Sequence, residues 1–170
     1  GQTNVTITCG QNVSFLTSNE GSNIWKVYAN DSEGLENSSS VTFFKDTISP
    51  NIDFVSPTTA TGNYSKSSID ANVTASDSGL SGINISLHNS TGIYQSNFSA
   101  TSPLYVNYTN LPDGTYRLNA TANDTLNNRN FTETRTITLD TAFPQISIAF
   151  PTVNNTNTTL VPTASSPQSP

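Results

Sequence analysis

The stretch "DGTYRLNATANDTLNNRNFTETRTITLDT", residues 113–141, indicates the fold most directly. Tyr116, Leu118, Ala120 and Ala122 recur at every second position, with polar residues between them. This spacing is typical of a β-strand with one buried face. The turn sequence "NDTLNN" then precedes a further alternating segment. The stretch therefore predicts two strands of a sheet that covers a hydrophobic core.

The same alternation continues upstream, and helical periodicity is absent throughout. The turn sequences "SDSGLSG", "NSTG" and "LPDG" separate the alternating segments. Seven or so short strands in about 93 residues predict an all-β, immunoglobulin-like β-sandwich. The residues expected on its inward faces are Ile52, Phe54, Ile69, Ala71, Val73, Ala75, Ile83, Ile85, Leu87, Val106, Tyr108, Phe131, Ile137 and Leu139.

A partial copy of the stretch lies earlier, in residues 20–57. The two copies are offset by 93 residues, then by 94, a period that suits a β-sandwich domain and is too long for a solenoid. Trp25 falls at the position of Leu118, so we expect it in a core. The matching pairs are Gly21 with Gly114, Ala29-Asn30-Asp31 with Ala122-Asn123-Asp124, Asp46-Thr47 with Asp140-Thr141, Pro50 with Pro144 and Pro57 with Pro151.

The phase of the repeat predicts one complete unit with a partial unit on each side. Residues 49–141 form the complete sandwich. Residues 1–48 match only the C-terminal half of a unit, with strands expected in "TNVTITC", "NVSFL", "NIWKVYA" and "SSVTFF". Residues 142–170 hold only a first strand, at 145–150, followed by an extended Thr/Ser/Pro-rich tail.

A half sandwich exposes an apolar face and unpaired strand edges. We therefore expect a neighbouring chain or an adjacent repeat of the same chain to complete residues 1–48. Residues 145–150 are the candidate donor strand. Ile146, Ile148 and Phe150 would fill the recipient's core from it.

Composition limits the partners. The net charge is −6, and the six Lys and Arg residues do not cluster. Phosphate contacts dominate nucleic-acid affinity, so we expect no nucleic-acid partner. No apolar run approaches the roughly 18 residues of a membrane span. Gly1 as the first residue and the absence of Met suggest a processed chain or an excerpt of a longer one.

The triplet Asn-x-Ser/Thr, here called a sequon, is the acceptor pattern for N-glycosylation. It occurs fifteen times, and none has Pro in the middle. These sequons begin at Asn4, Asn12, Asn30, Asn37, Asn63, Asn72, Asn84, Asn89, Asn97, Asn107, Asn119, Asn123, Asn130, Asn154 and Asn157.

A polar strand face rich in Asn, Ser and Thr produces such triplets without any glycan, because residues i and i+2 share a face. Residues i and i+2 share a face whichever of them is the Asn, however, so the reversed triplet Ser/Thr-x-Asn should then be equally common. With 22 Asn and 50 Ser or Thr among 170 residues, chance gives about 6.5 in either direction. The reversed triplet occurs 6 times and the forward one 15 times. We therefore predict N-glycosylation at many of these sites, with Asn72, Asn84 and Asn119 pointing outward between apolar neighbours.

The sequence contains few features of a catalytic or metal site. His88 is the only histidine and lies on the outward phase of its strand. Without a G-x-S-x-G motif or a cluster of His and Cys, we predict neither an enzyme nor a zinc site. Calcium is the remaining metal: Asp46 and Asp140 lie at domain junctions, and Asp31, Asp77 and Asp124 lie in turns. Capping of backbone N–H groups is the simpler role for such residues.

Cys9 is the only cysteine, so an internal disulfide cannot form. A small buried apolar side chain is the simpler interpretation. An intermolecular cross-link is the alternative.

The aromatic residue after "DG", the A-x-D turn, the D-T-x-x-P junction and the upstream "ASDSGLSGINISL" resemble bacterial and archaeal immunoglobulin-like repeat domains of large surface proteins. With the sequon density, the chain looks like an archaeal surface glycoprotein of a surface layer, an adhesin or a thread- or pilus-like filament. The resemblance implies immunoglobulin-like subunits joined by donated strands and coated with glycans. The expected function is therefore a structural subunit of an extracellular filament. The alternative is a stalk segment of a giant cell-surface adhesin or surface-layer glycoprotein.

Overall fold

The computed structural model describes residues 4–14, 16–147 and the backbone of residues 163–165. These residues form strands and turns without any helix, and therefore include no helix able to cross a membrane. The chain divides into two compact units, Gly1–Ile48 and Ser49–Pro170. In the first unit, β1 (Gly21–Asn30) and β2 (Glu36–Lys45) pair as an antiparallel hairpin.

The second unit is an immunoglobulin-like β-sandwich of two sheets, so the predicted all-β fold class is confirmed. The smaller sheet has three antiparallel strands, in the order β3 (Asn51–Phe54), β5 (Ile69–Ser76) and β8 (Leu104–Tyr108). The larger sheet has the order β4 (Gly62–Tyr64), β11 (Arg135–Leu139), β9 (Gly114–Asp124), β6 (Leu80–Asn89) and β7 (Gly92–Ser99). A sixth strand, β10 (Arg129–Phe131), also pairs with β9. Among the described strands, only β4 and β11 pair in parallel.

Every second residue of the central strands is buried, as the alternation predicted. Burying each such Ile, Leu or Val side chain contributes about 1.5–3 kcal/mol to folding. The core residues with no exposed surface are Ile69, Ala71, Val73, Ile83, Ile85, Leu87, Leu118, Ala120, Ala122, Ile137 and Leu139.

Tyr116 at the start of β9 forms a tyrosine corner, a hallmark of immunoglobulin-like sandwiches. Its ring is buried, and its hydroxyl donates to the Pro112 carbonyl oxygen at 2.9 Å. The aromatic residue after "DG" therefore fixes the entry of the chain into the central strand of the larger sheet.

Phe131 differs from the expectation that it lies in the core. Its side chain is 61% exposed, because β10 pairs with β9 in a register that places Phe131 opposite Thr121 on the outward face. Asn130 takes the inward phase and donates from Nδ2 to the Pro50 carbonyl oxygen at 3.0 Å. Alternation shows which residues of a strand share a face. Which of the two faces points inward depends on the register with the neighbouring strand, and the sequence does not show that register.

The two units share the same turn after a strand. Asp31 Oδ1 accepts from the backbone N–H groups of Glu33 at 3.1 Å and Leu35 at 2.8 Å. Asp124 Oδ1 likewise accepts from residues two and four positions later, Leu126 at 2.9 Å and Asn128 at 2.8 Å. Positive φ angles at Gly34 (83°) and Asn127 (67°) complete both turns.

Three further hydrogen bonds recur at the offset of the sequence repeat. Thr47 N–H donates to Glu20 Oε2 at 2.8 Å, and Thr141 N–H to Asp113 Oδ1 at 3.0 Å. Ile48 N–H donates to Asp46 Oδ1, and Ala142 N–H to Asp140 Oδ1, both at 3.0 Å. Asn23 Nδ2 donates to the Asn19 carbonyl oxygen at 2.7 Å, which reproduces the corner bond of Tyr116. The β1–β2 hairpin is thus the counterpart of β9 and its partners β10 and β11, although β2 is continuous where β10 and β11 are separate strands.

The hairpin of the first unit differs from those strands in burial. Trp25 pairs with Val41, as Leu118 pairs with Arg135. Trp25 is nevertheless 38% exposed and Val27 56% exposed, whereas Leu118 is fully buried. Trp25 therefore does not reach the predicted core environment, although its ring makes an edge-on contact with Phe43, with ring centroids 4.9 Å apart.

The strands predicted in "TNVTITC" and "NVSFL" are absent from the parts of these segments that the structure describes. The described residues between Asn4 and Glu20 belong to no strand. A strand needs a hydrogen-bonding neighbour, and β1 and β2 pair only with each other among the described residues. Cys9 in this segment is exposed, which corrects the expectation of a buried thiol.

The candidate donor segment begins as a strand. β12 (Gln145–Ser147) pairs antiparallel with β13 (Thr163–Ser165). Ile146 is 70% exposed, so no core of the chain covers it among the described residues. Ile148 and Phe150 lie outside the described residues.

Candidate functional site

The sequon asparagines form the candidate site, and none of those within the described residues is buried. An enzyme can modify only asparagines that it can reach, so this accessibility is a precondition for the predicted glycans. Asn154 and Asn157 lie outside the described residues. Asn4, Asn12, Asn30, Asn37, Asn63, Asn107 and Asn130 are exposed, and Asn72, Asn84, Asn89, Asn97, Asn119 and Asn123 are half-buried.

Sequons in the strands of the sandwich point outward where their apolar neighbours point inward. Asn84 on β6 lies between Ile83 and Ile85, both fully buried. Asn119 on β9 lies between Leu118 and Ala120, also fully buried, and its register partner is Ser86. Asn72 follows the same pattern on β5. The sandwich therefore offers glycan acceptors on the outer faces of both sheets.

The sequon at the tip of the β6–β7 hairpin forms a turn of its own. Asn89 Oδ1 accepts from the backbone N–H of Thr91 at 2.9 Å and from its hydroxyl at 2.7 Å. The carbonyl oxygen of the amide thus holds the turn. The amide nitrogen, which carries an N-glycan, takes no part in these two bonds.

Three sequon asparagines use the amide nitrogen to hold the sandwich together. Asn72 Nδ2 donates to the Ser56 carbonyl oxygen at 2.8 Å, and Asn107 Nδ2 donates to Asp70 Oδ1. Asn130 Nδ2 bonds to Pro50, as described above. An amide nitrogen carries two hydrogens, so a glycan at these positions must replace the one that the fold does not use. These structural roles cannot be read from the sequence, because the acceptors are mostly distant backbone carbonyls.

A polar groove runs between the edge strands β7 and β8. Its volume is about 370 Å³. Tyr108 at its base is 2% exposed, and burial raises the pKa of its phenol to about 12. The Tyr108 hydroxyl has no hydrogen-bond partner among the described residues. The lining residues are Gln95, Ser96, Asn97, Val106, Asn107, Tyr108 and Thr109, which include two sequon asparagines.

The aspartates considered for calcium act as caps of backbone N–H groups. Asp31, Asp46, Asp124 and Asp140 make the bonds described above, and Asp77 Oδ1 accepts from Gly79 N–H at 2.7 Å. Capping was the simpler sequence-based interpretation, and these bonds bear it out. Junction calcium stays a prediction.

Asp124 is the buried member of this set. Burial acts to raise the pKa of its carboxyl, but hydrogen bonds from the Asn128 side chain, the Asn128 backbone and Leu126 together hold the pKa below its ordinary value. The charged form therefore stabilises the fold above the ordinary pKa, and that stabilisation is lost as pH falls through the lowered pKa.

We expect Asp124→Ala to lower the melting temperature of the second unit at neutral pH, since it leaves several N–H donors without their acceptor. Asp31→Ala removes the equivalent bonds at an exposed turn of the first unit, and it should lower the melting temperature much less. On acidification the Asp124→Ala variant should lose less stability than the wild type. Thermal melts from pH 7 to pH 2 test this, and parallel acid profiles for the two proteins would contradict the assigned role.

His88 lies on the outer face of β6, with Arg117 as its register partner on β9. Its register partners, Arg117 and Ile93, are neither the carboxylate nor the serine of a catalytic triad. The absence of enzymatic activity stays a prediction.

Comparison with known proteins gives structural likeness only. The chain is similar to the CbhA fibronectin(III)-like modules of Clostridium thermocellum, with 18% identity, a TM-score of 0.43, and coverage of 55% of this chain and 99% of that one. It is also similar to an engineered protein of known crystal structure, with 11% identity, a TM-score of 0.42, and coverage of 56% of this chain and 21% of that one. No protein-family model and no curated protein matches the sequence. Neither likeness bears on function.

Proposed function

We propose that this chain is a structural subunit of an extracellular, N-glycosylated filament or surface assembly built from immunoglobulin-like units. The observation that carries the proposal is the placement of the sequons. They exceed their reversed counterparts in number, and every one within the described residues is accessible. N-glycan transfer acts on exported proteins, so such sites support an extracellular location.

A glycan coat would also explain the composition. Charged residues make up only 11% of the chain, whereas soluble surfaces normally contain far more. Glycans on the outer sheet faces would supply the missing solubility. They would also hinder sheet-to-sheet aggregation, which exposed strands otherwise invite.

The open hairpin of the first unit supports assembly through strand complementation. β1 and β2 repeat the hydrogen bonds of β9 and β11, yet Trp25 and Val27 remain exposed where the second unit is fully buried. A strand added from another copy would pair with the hairpin edge and cover that face. Residues 145–150 carry apolar residues at alternate positions and are the proposed donor.

A stalk segment of a longer adhesin or surface-layer glycoprotein is the second candidate. The recurrence of whole hydrogen-bonded turns in the two units favours it, because tandem repeats of one chain would also complete the first unit. The mass of the native polypeptide separates the two candidates. A chain near 18.1 kDa plus glycans supports a subunit, and a much longer chain supports a stalk.

We expect the native glycoprotein to lose mass corresponding to many glycans on chemical deglycosylation. Intact mass spectrometry before and after treatment, followed by peptide mapping, gives the load and the occupied sites. Native protein that is bare at Asn72, Asn84 and Asn119 would refute the glycan coat.

A further inference from the structure

Two exposed aromatic rings flank a sequon on the outer face of the larger sheet. Phe98 on β7 is opposite Asn84 on β6, which is opposite Thr121 on β9, which is opposite Phe131 on β10. We call these four residues the Phe98–Phe131 row. Phe98 is 66% exposed and Phe131 61% exposed. Nothing within the described residues buries either ring.

Each ring makes a contact with the sheet despite its exposure. The Phe98 ring lies against the backbone of Gly82: a Cβ atom on Gly82 would come within 2.4 Å of Phe98 Cε2. This contact explains the glycine at that point of β6, next to Ile83 and Asn84. The Arg129 guanidinium lies 5.8 Å from the centroid of the Phe131 ring and stacks on it as a cation.

The Asn84 amide is also oriented. Its Oδ1 accepts from the Ser96 hydroxyl at 2.8 Å, and its Nδ2 donates to the Ser86 hydroxyl at 3.2 Å. One Nδ2 hydrogen is therefore used by the fold, and the other position can carry a sugar. The surroundings of the amide are hydroxyls and amides, with an aromatic ring on the adjacent strand.

We propose that the glycan on Asn84 lies along the Phe98–Phe131 row and stacks on both rings, so that the sugar covers this part of the sheet. The proposal rests on the glycosylation put forward above. A sugar ring has a C–H face that packs on the negative face of an aromatic ring, and a rim of hydroxyls. The hydroxyls of Thr121, Ser86 and Ser96 match that rim.

The spacing suits a chain of sugars. Side chains directly opposite on neighbouring strands are about 5 Å apart, so Phe98 is in reach of the first sugar on Asn84. Phe131 is two strands away from Asn84, about 10 Å across the sheet. The inner sugars of a glycan that follows the row toward β10 would reach it.

A sugar fits this surface better than a protein partner does. The core of a protein interface is a contiguous patch from which charged and strongly polar groups are depleted. Here the two rings are separated by Asn84 and Thr121, and Ser86, Ser96 and Asn119 lie beside them. Isolated aromatic rings in a field of hydroxyls and amides suit a carbohydrate.

The test uses the full chain produced in a host that transfers N-glycans. Ser86→Ala removes the Asn84 sequon, and Ser65→Ala removes the exposed Asn63 sequon on β4 as the matched control. With occupancy confirmed by mass, glycosylated Ser86→Ala should melt about 4 °C or more below the glycosylated wild type. The same two proteins made without glycans should differ much less, which separates loss of the sugar from loss of the hydrogen bond between Asn84 Nδ2 and the Ser86 hydroxyl. Ser65→Ala should change the melting temperature little. In a Phe98→Ala/Phe131→Ala background, the effect of Ser86→Ala should fall to that seen without glycans.

NMR gives a direct measurement, because sugar protons on Asn84 that stack on the rings should show upfield ring-current shifts that Phe98→Ala abolishes. An occupied Asn84 with no ring-current shift and no thermal effect overturns the stacking while leaving the glycosylation intact. A bare Asn84 in the native protein overturns both. If the glycosylated wild type self-associates and the Phe98→Ala/Phe131→Ala variant does not, the two rings form an interface between copies and the proposal is overturned.

Discussion

Deletion of residues 145–150 is expected to abolish end-to-end assembly while leaving the sandwich of the second unit folded. Three side chains, Ile146, Ile148 and Phe150, would lose their place in the recipient's core. Each contributes about 1.5–3 kcal/mol on burial, and the main-chain hydrogen bonds to the hairpin edge disappear with them. Light scattering and electron microscopy measure assembly, and circular dichroism melts follow the sandwich.

Trp25 provides an internal reporter of the same event. It is the only tryptophan, and it is 38% exposed on the hairpin face that the donated strand would cover. Its fluorescence should shift to shorter wavelengths on assembly and remain unshifted in the deletion variant.

A matched pair of variants separates the side chains of the donor strand from its length. Ile146→Ser/Ile148→Ser/Phe150→Ser removes the three apolar residues of the proposed inward face and should block assembly. Gln145→Ser/Ala149→Ser changes the opposite face of the same strand and should assemble normally. Polymers that form without residues 145–150, or equal effects of the two variants, would show that another contact joins the subunits.

The central sheets could be predicted from sequence because alternation in β5, β6, β9 and β11 reflects a strong physical constraint. A one-residue slip in these strands would turn Ile83, Ile85 or Leu118 out to solvent and expose the core. The repeat likewise placed Asp31 and Asp124 in equivalent turns, since both supply the acceptor that the following N–H groups need. Local chemistry of this kind is visible in a single chain.

The outward-facing rings could not be predicted, because the register of β7 and of the three-residue β10 against their neighbours leaves no mark in their own sequences. "NFS" at Asn97 and "NFT" at Asn130 resemble "NIS" at Asn84, where the middle residue is buried. Only the pairing with β6 and β9 shows that Phe98 and Phe131 face outward. Burial of Trp25 was likewise inferred from its repeat position, but burial depends on what covers a face.

Leu118→Ala is expected to destabilise the second unit by about 2–5 kcal/mol, because Leu118 is fully buried between the sheets and the substitution leaves a cavity. Trp25→Ala changes the equivalent position of the first unit. In the unassembled chain it should cost less, because Trp25 is 38% exposed and its edge-on contact with Phe43 adds only about 0.5–1.5 kcal/mol to the burial of its remaining surface. Urea unfolding followed by circular dichroism measures Leu118→Ala, and Phe43 ring resonances report on the first unit.

The order of the two effects should reverse in the assembly. If a donated strand covers the hairpin face, Trp25 becomes a core residue there, and Trp25→Ala should prevent assembly or sharply lower the dissociation temperature of the polymer. Leu118→Ala should destabilise the second unit without altering the contact between the donated strand and the hairpin. This comparison requires that the second unit of the variant is folded before the thermal melt begins. A Trp25→Ala penalty in the isolated chain as large as that of Leu118→Ala would mean that the first unit already has a closed core and needs no partner strand.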